Sequence, residues 1–286
     1  MPEPLAGSPP GVADGEDEDR DQYEARDHLE GDRHSAVGLQ PRCGDAEAGE
    51  DSHHRILHHG PSVAAVRGLL FDFDGLIVDT ETPSFASWQE IYRQHGQELV
   101  LERWAAVIGT IGGFEPLDYL EELAGPIDRD AVGARRHEHE LALAEVEELR
   151  PGLLEYLERA RELDLCTAIV SSSSRSWIDR HLARLERAEH FDLIVTADGD
   201  RARAKPRPTL YLEALERLGL DSGEAIAFED SPNGVRAAKA AGLYCVAVPN
   251  GVTVSLGLEE ADLVVDSLAE LPLAELLRRA GKNSSQ

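Results

Sequence analysis

No stretch of the 286-residue chain approaches the roughly 18 consecutive apolar residues of a membrane-spanning helix. The amino terminus, MPEPLAGSPPGVADGEDEDRD, has neither the basic nor the apolar segment of a secretory leader. Membrane anchoring and secretion are therefore not expected. Cysteine is scarce: Cys43, Cys166 and Cys245 are odd in number and far apart, and two of them sit in apolar runs. That argues against a disulfide framework or a CxxC metal site and fits a reducing cytoplasm. Basic residues are also few, 28 against 55 acidic ones, for a net charge of −27. This is the wrong sign for a protein that neutralises phosphate backbones, so nucleic acid is not an expected partner and the surplus reads as a solvated acidic surface. What the chain does have is 42% apolar and 29% charged residues, enough for a sizeable core in one large domain or two ordinary ones.

The acidity is uneven. Residues 1–62 carry 15 Asp or Glu and 5 Arg, with many Gly and Pro and only scattered aliphatics, so they bury too little to offset the entropy of ordering and read as a disordered acidic tail. The histidine-rich run from His53 to His59 in that tail reads as bland, having no framework to orient metal ligands. From Val66 the texture changes. Short apolar runs at Val66 to Phe71, Cys166 to Val170, Asp192 to Thr196, Ala225 to Phe228, Cys245 to Val248 and Asp262 to Val265 read as strands. Helical patterns at Gly152 to Leu163, Ser176 to Ala188, Thr209 to Leu218 and Gly234 to Ala241 alternate with them, the signature of a parallel sheet covered by helices. Between Thr80 and about Glu147 the pattern is helical throughout: Pro83 opens a helix, Phe85, Trp88 and Tyr92 line one face, and Gly96 closes it. The fold class expected is α/β, with residues 63–79 and 148–286 as core and an inserted helical unit over residues 80–147.

Three of these strands end in polar residues: Phe71 is followed by Asp72-Phe73-Asp74, Val170 by Ser171-Ser172, and Phe228 by Glu229-Asp230. In open α/β sheets the ligand crevice lies beyond the carboxyl ends of the strands, so these groups should converge. Asp72, Asp74, Glu229 and Asp230 would then repel one another unless a cation sits among them, and an all-oxygen set without His or Cys points to Mg²⁺.

The stretch Asp72-Phe73-Asp74-Gly75-Leu76-Ile77-Val78-Asp79-Thr80-Glu81 resembles DxDGxxxDTE, the first signature of the haloacid dehalogenase superfamily. Ser171, Lys205-Pro206 and Glu229-Asp230-Ser231-Pro232-Asn233-Gly234 resemble its second, third and fourth motifs, in order and at strand ends. The position of the insert is similar to that of the β-phosphoglucomutase-like and sugar-phosphatase branch. The resemblance implies a Rossmann-like core with helices on both faces, a small α-helical cap over the crevice, and a phosphatase using Mg²⁺. It assigns Asp72 as nucleophile and Asp74 as general acid and base; Ser171, Ser172 and Lys205 as phosphate ligands; and Asp72, Asp230 and the Asp74 backbone carbonyl as metal ligands, with Glu229 in or beside that set. Ser84, Trp88 and Phe114, with Trp104 and Ile111, would select the leaving group. Asp79 would tie down the turn after the nucleophile and Asn233 would position the acidic loop. Mutases of this branch carry a His where Ser84 stands and an Arg in the cap, whereas Ala105 to Asp128 contains no Arg or Lys. Hydrolysis of a small phosphorylated metabolite by a monomer or weak homodimer is expected. A phosphosugar mutase and a non-catalytic binding module on the same fold stand as alternatives.

Met1 is the only methionine. The tail is read as a consequence of start-site choice, with translation expected to begin near Val63 or Val66. Mass spectrometry of the native protein's amino terminus tests this, and peptides from residues 1–60 would overturn it.

Overall fold

A computed structural model describes residues 66–105, 108–109 and 114–283. The proposed tail and Ile111 lie outside them. Six strands, β1 (Gly68–Phe71), β2 (Cys166–Ser171), β3 (Leu193–Thr196), β4 (Ala225–Glu229), β5 (Tyr244–Ala247) and β6 (Leu263–Val264), form one parallel sheet in the order β3-β2-β1-β4-β5-β6. Each falls where the sequence pattern places it, within a residue or two. The order reverses at β1, which pairs with β2 on one side and β4 on the other. The carboxyl end of β1 is therefore the switch point at which such sheets open a crevice.

The strands read as unbroken apolar runs because both faces of the sheet are covered. On one face Leu69, Phe71, Ile169, Ile226 and Phe228 pack against α5 (Leu153–Glu162), α6 (Arg175–Leu185) and α9 (Leu273–Asn283). On the other, Leu70, Ala168, Val170 and Ala227 meet α7 (Thr209–Leu218) and α8 (Pro232–Ala240). The period of two along β1 thus distributes successive side chains between two cores. Phe71 stacks on Phe228 across the β1 and β4 pair at 4.6 Å, and Tyr156 of α5 meets Phe228 edge-on at 5.7 Å, directly beneath the strand ends.

Between β1 and β2 the chain forms α1 (Glu81–Gln94), α2 (Leu101–Trp104), α3 (Pro116–Ala124) and α4 (Arg129–Ala144). Trp88, Ile91, Tyr92, Leu99, Trp104, Leu120 and Val132 make a separate apolar cluster, into which Val252 from the loop after β5 also packs. Helix α1 starts two residues before Pro83, which is tolerated there because the first four N–H groups of a helix have no partner inside it. Helix α6 stops at Leu185, short of the expected Ala188, because Glu186 takes a left-handed conformation. Helix α8 begins at Pro232 rather than Gly234: Ser231 accepts from the Gly234 N–H as its cap and Pro232 occupies the first turn. Among the described residues no helix is long and apolar enough to cross a membrane.

Truncating the central aromatic of this stack, Phe228→Ala, should lower the unfolding free energy by about 3–5 kcal/mol. A urea titration checks it by a lowered midpoint at unchanged slope.

Candidate active site

The β1 and β4 ladder continues one residue past the strands, the Asp72 N–H donating to the Phe228 carbonyl at 2.9 Å. Asp72 is thereby fixed beside Glu229 and Asp230. The chain then turns at Gly75, whose φ is 73°. A Cβ there would lie 2.1 Å from Asp230 Oδ2 and 2.5 Å from Asn250 Nδ2, so only glycine allows this loop to lie against the acidic one. Gly234 meets the same constraint, since a Cβ would sit 1.7 Å from Glu229 Oε2.

Asp72, Lys205, Glu229 and Asp230 are each 3% exposed or less. Lys205 Nζ lies 2.7 Å from Asp72 Oδ1 and 2.8 Å from Glu229 Oε1, and the Tyr211 hydroxyl donates to the same Glu229 oxygen at 2.5 Å. One ammonium therefore faces three buried carboxylates. Burial, then the neighbouring Glu229, pushes the Asp72 carboxyl well above the ordinary carboxylate range, against the pull of Lys205. Burial, then Asp72, does the same to Asp230. Burial works against the Lys205 ammonium too, but Asp72 and Glu229 outweigh it and raise its pKa.

Ligand oxygens of Asp72, Glu229 and Asp230 lie within 4.8 Å of one another. Asp230 Oδ1 and Glu229 Oε2 are buried and meet no hydrogen-bond donor among the described residues. Orphaned oxygens in an under-neutralised, all-carboxylate cluster suit a hard divalent cation. The other Asp230 oxygen accepts from Asn250 Nδ2 at 2.8 Å. That amide is held in one orientation, because its own oxygen accepts from the N–H groups of Val252 and Thr253.

The Asp74 side chain lies outside this cluster. Its Oδ1 accepts from the Thr80 hydroxyl and from Trp177 Nε1, each at 2.8 Å. Its Oδ2 accepts from the hydroxyls of Ser173, at 2.6 Å, and Ser171, at 3.4 Å. The Ser172 hydroxyl is engaged elsewhere, accepting from the Lys205 N–H at 3.2 Å and donating to the Gly109 carbonyl at 3.3 Å. Asp79 accepts from the N–H and hydroxyl of Thr82 and anchors the first turn of α1. Asn233 reaches the insert, donating to the Ile108 carbonyl at 2.8 Å. Of the residues expected to select substrate, Trp88 and Trp104 are buried in the apolar cluster of the insert, Phe114 packs edge-on against Tyr119 at its margin, and Ser84 is half-buried near the start of α1.

Sequence reasoning missed Tyr211, Asn250, Trp177 and Arg150. Arg150, just before α5, donates to the carbonyls of Gly75 at 2.7 Å, Val248 at 2.9 Å and Pro249 at 2.6 Å. It joins the loop after β1 to the loop that carries Asn250.

Residues 69–248 match the family model described as haloacid dehalogenase-like hydrolase. The chain belongs to that family. It is an enzyme on the family's Rossmann-like fold, and its relatives narrow the field. YhcW of Bacillus subtilis (strain 168), named a phosphatase by assignment, is 45% identical over 213 residues, 74% of this chain and 96% of that protein. Validoxylamine A 7'-phosphate phosphatase of Streptomyces hygroscopicus subsp. limoneus is 29% identical over 208 residues, 71% and 94% of the two chains. Among solved structures, a CbbY mutant from Rhodobacter sphaeroides in complex with xylulose-(1,5)bisphosphate aligns at a TM-score of 0.60 and 28% identity over 74% of this hydrolase and 99% of that chain.

Removing the Arg150 guanidinium strips three carbonyls of a charged donor. Arg150→Ala should cost about 3 kcal/mol of stability, read by thermal or denaturant unfolding, with Arg150→Lys recovering only part because lysine cannot fork across three acceptors.

Proposed function

We propose that this hydrolase is a cytoplasmic Mg²⁺-dependent phosphatase acting on a small phosphomonoester, a sugar, polyol or nucleoside-like phosphate, through an aspartyl-phosphate on Asp72. The observation that carries the reading is the buried cluster of three carboxylates against one lysine, with an Asp230 oxygen that meets no donor among the described residues. Asp72, Asp230 and the Asp74 backbone carbonyl would hold Mg²⁺, with Glu229 in or beside that set, and the ion when bound offsets the repulsion between a carboxylate and a phosphate dianion.

An Asp72 oxygen attacks phosphorus while the bond from phosphorus to the leaving oxygen breaks, and Asp74 gives its proton to that oxygen. In the second half Asp74 takes a proton from water, whose oxygen attacks phosphorus and releases phosphate and free Asp72. Lys205 holds Asp72 in place and brings positive charge to the phosphoryl oxygens, which Ser171 would also bind. Asp74 can serve both half-reactions because its side chain stands apart from the cluster that would hold the metal.

Residues 80–147 would act as a cap, excluding water from the crevice and selecting the leaving group. Mutase chemistry needs a cationic clamp for a second phosphate. The guanidinium groups of this insert are already engaged where the structure records them: Arg129 pairs with Asp118 and Glu121, and Arg136 pairs with Glu140 at 2.6 Å while lying over the Trp88 ring. That arrangement favours a substrate with a single phosphate.

The test is phosphate release from a panel of phosphomonoesters, with and without Mg²⁺, for the wild type and Asp72→Asn. Release should require Mg²⁺, stop with a chelator and return on readdition, and fall by more than about a thousandfold in the variant. No release from any ester by protein that still binds Mg²⁺ would refute the assignment.

A further inference from the structure

We infer that Trp177 is a positioning residue for the acid–base carboxylate, its indole N–H fixing Asp74 through Oδ1. The inference rests on the phosphatase reading and deepens it. Trp177 lies in the first turn of α6, where Ser174 caps the helix by accepting from the Trp177 backbone N–H at 3.3 Å. Helical side chains lean toward the amino terminus, and from this position the indole reaches past the helix end to Asp74. One turn later, His181 packs edge-on against the indole with ring centroids 4.4 Å apart, and its ring also lies 6.0 Å from that of Phe73, between Asp72 and Asp74. His181 is 2% exposed and neither of its ring nitrogens meets a partner among the described residues. It serves as a wall that sets the plane of the indole.

The four donors on Asp74 are not equivalent. The hydroxyls of Thr80, Ser171 and Ser173 can rotate to other acceptors and can themselves accept, whereas an indole N–H can only donate. As long as the Trp177 contact persists, Oδ1 stays turned to the indole and Oδ2 stays turned to Ser171 and Ser173, so the carboxyl plane is fixed. A partly buried tryptophan could satisfy its N–H on any backbone carbonyl or on water. Here it uses the one carboxylate that must present a proton in a defined direction.

Two measurements test this. In the first, the indole ¹H–¹⁵N resonance of Trp177, assigned with Trp177→Phe, should move in Asp74→Ala while those of Trp88 and Trp104 stay in place. An unmoved Trp177 resonance would overturn the contact without reference to activity. In the second, kcat/KM is compared for an alkyl phosphate, whose leaving oxygen needs the proton, and p-nitrophenyl phosphate, whose leaving group does not. Trp177→Phe should lower the alkyl value about ten- to a hundredfold, the p-nitrophenyl value much less, and add nothing in an Asp74→Ala background. Replacement of Trp177 by β-(3-benzothienyl)alanine, which keeps the ring shape and lacks the N–H, should reproduce this pattern and carries the comparison if the Phe variant does not fold. Equal losses with both leaving groups, or a loss that persists undiminished without the Asp74 carboxyl, would overturn the positioning role. Full activity in Asp74→Ala alone would instead refute the acid–base assignment on which it rests.

Discussion

Three carboxylates buried against a single ammonium is the constraint around which the rest of the site is arranged. Asp72, Glu229 and Asp230 are placed together by the pairing of β1 with β4, so their mutual repulsion is built into the sheet. Lys205 relieves part of it by bridging Asp72 and Glu229, and Tyr211 adds a neutral donor to the same Glu229 oxygen. The residual negative charge makes the cluster compatible with a divalent cation. The surrounding features keep the carboxylates from moving apart: Gly75 and Gly234 let backbone approach where a methyl group would collide, Asn250 pins Asp230, and Arg150 ties together the loops that carry them. Stability at this end of the sheet is spent on holding like charges together. The Phe71, Phe228 and Tyr156 stack directly below supplies apolar contact that offsets it.

The sequence disclosed the fold and the identities of the charged residues for the same reason. Strands covered on both faces are unbroken apolar runs, so Phe71, Val170 and Phe228 mark their own ends, and a carboxylate or hydroxyl immediately after such a run can lie only at the crevice. Residues that act from elsewhere left no comparable mark. Arg150 and Asn250 are separated from Gly75 by 75 and 175 positions, and nothing in their local patterns differs from an ordinary loop arginine or asparagine. By local pattern Trp177 is one more apolar position of a helix, since only the handedness that brings α6 back over the sheet aims its indole at Asp74. The serine run does not reveal its partners for a related reason. Four consecutive hydroxyls stand at the end of a strand, and the fold divides them between Asp74, the Lys205 backbone and the cap of α6.

Asp72 and Asp74, two residues apart, occupy opposite kinds of environment. Asp74 lies past the end of β1, bridged to Val78 at the turn through Gly75, so its side chain no longer follows the strand's alternation, and Phe73 stands in the core between the two. Asp72 is buried among other charges and held by an ammonium, an arrangement that fixes its position but ties its protonation to its charged neighbours. Asp74 is half-buried and surrounded by neutral donors, three hydroxyls and an indole. Where two carboxylates are given such different surroundings, one suits covalent attack and the other proton transfer. The division follows from local geometry: one residue continues the ladder of β1 into the acidic cluster, and the other begins the turn that faces the serine run and α6.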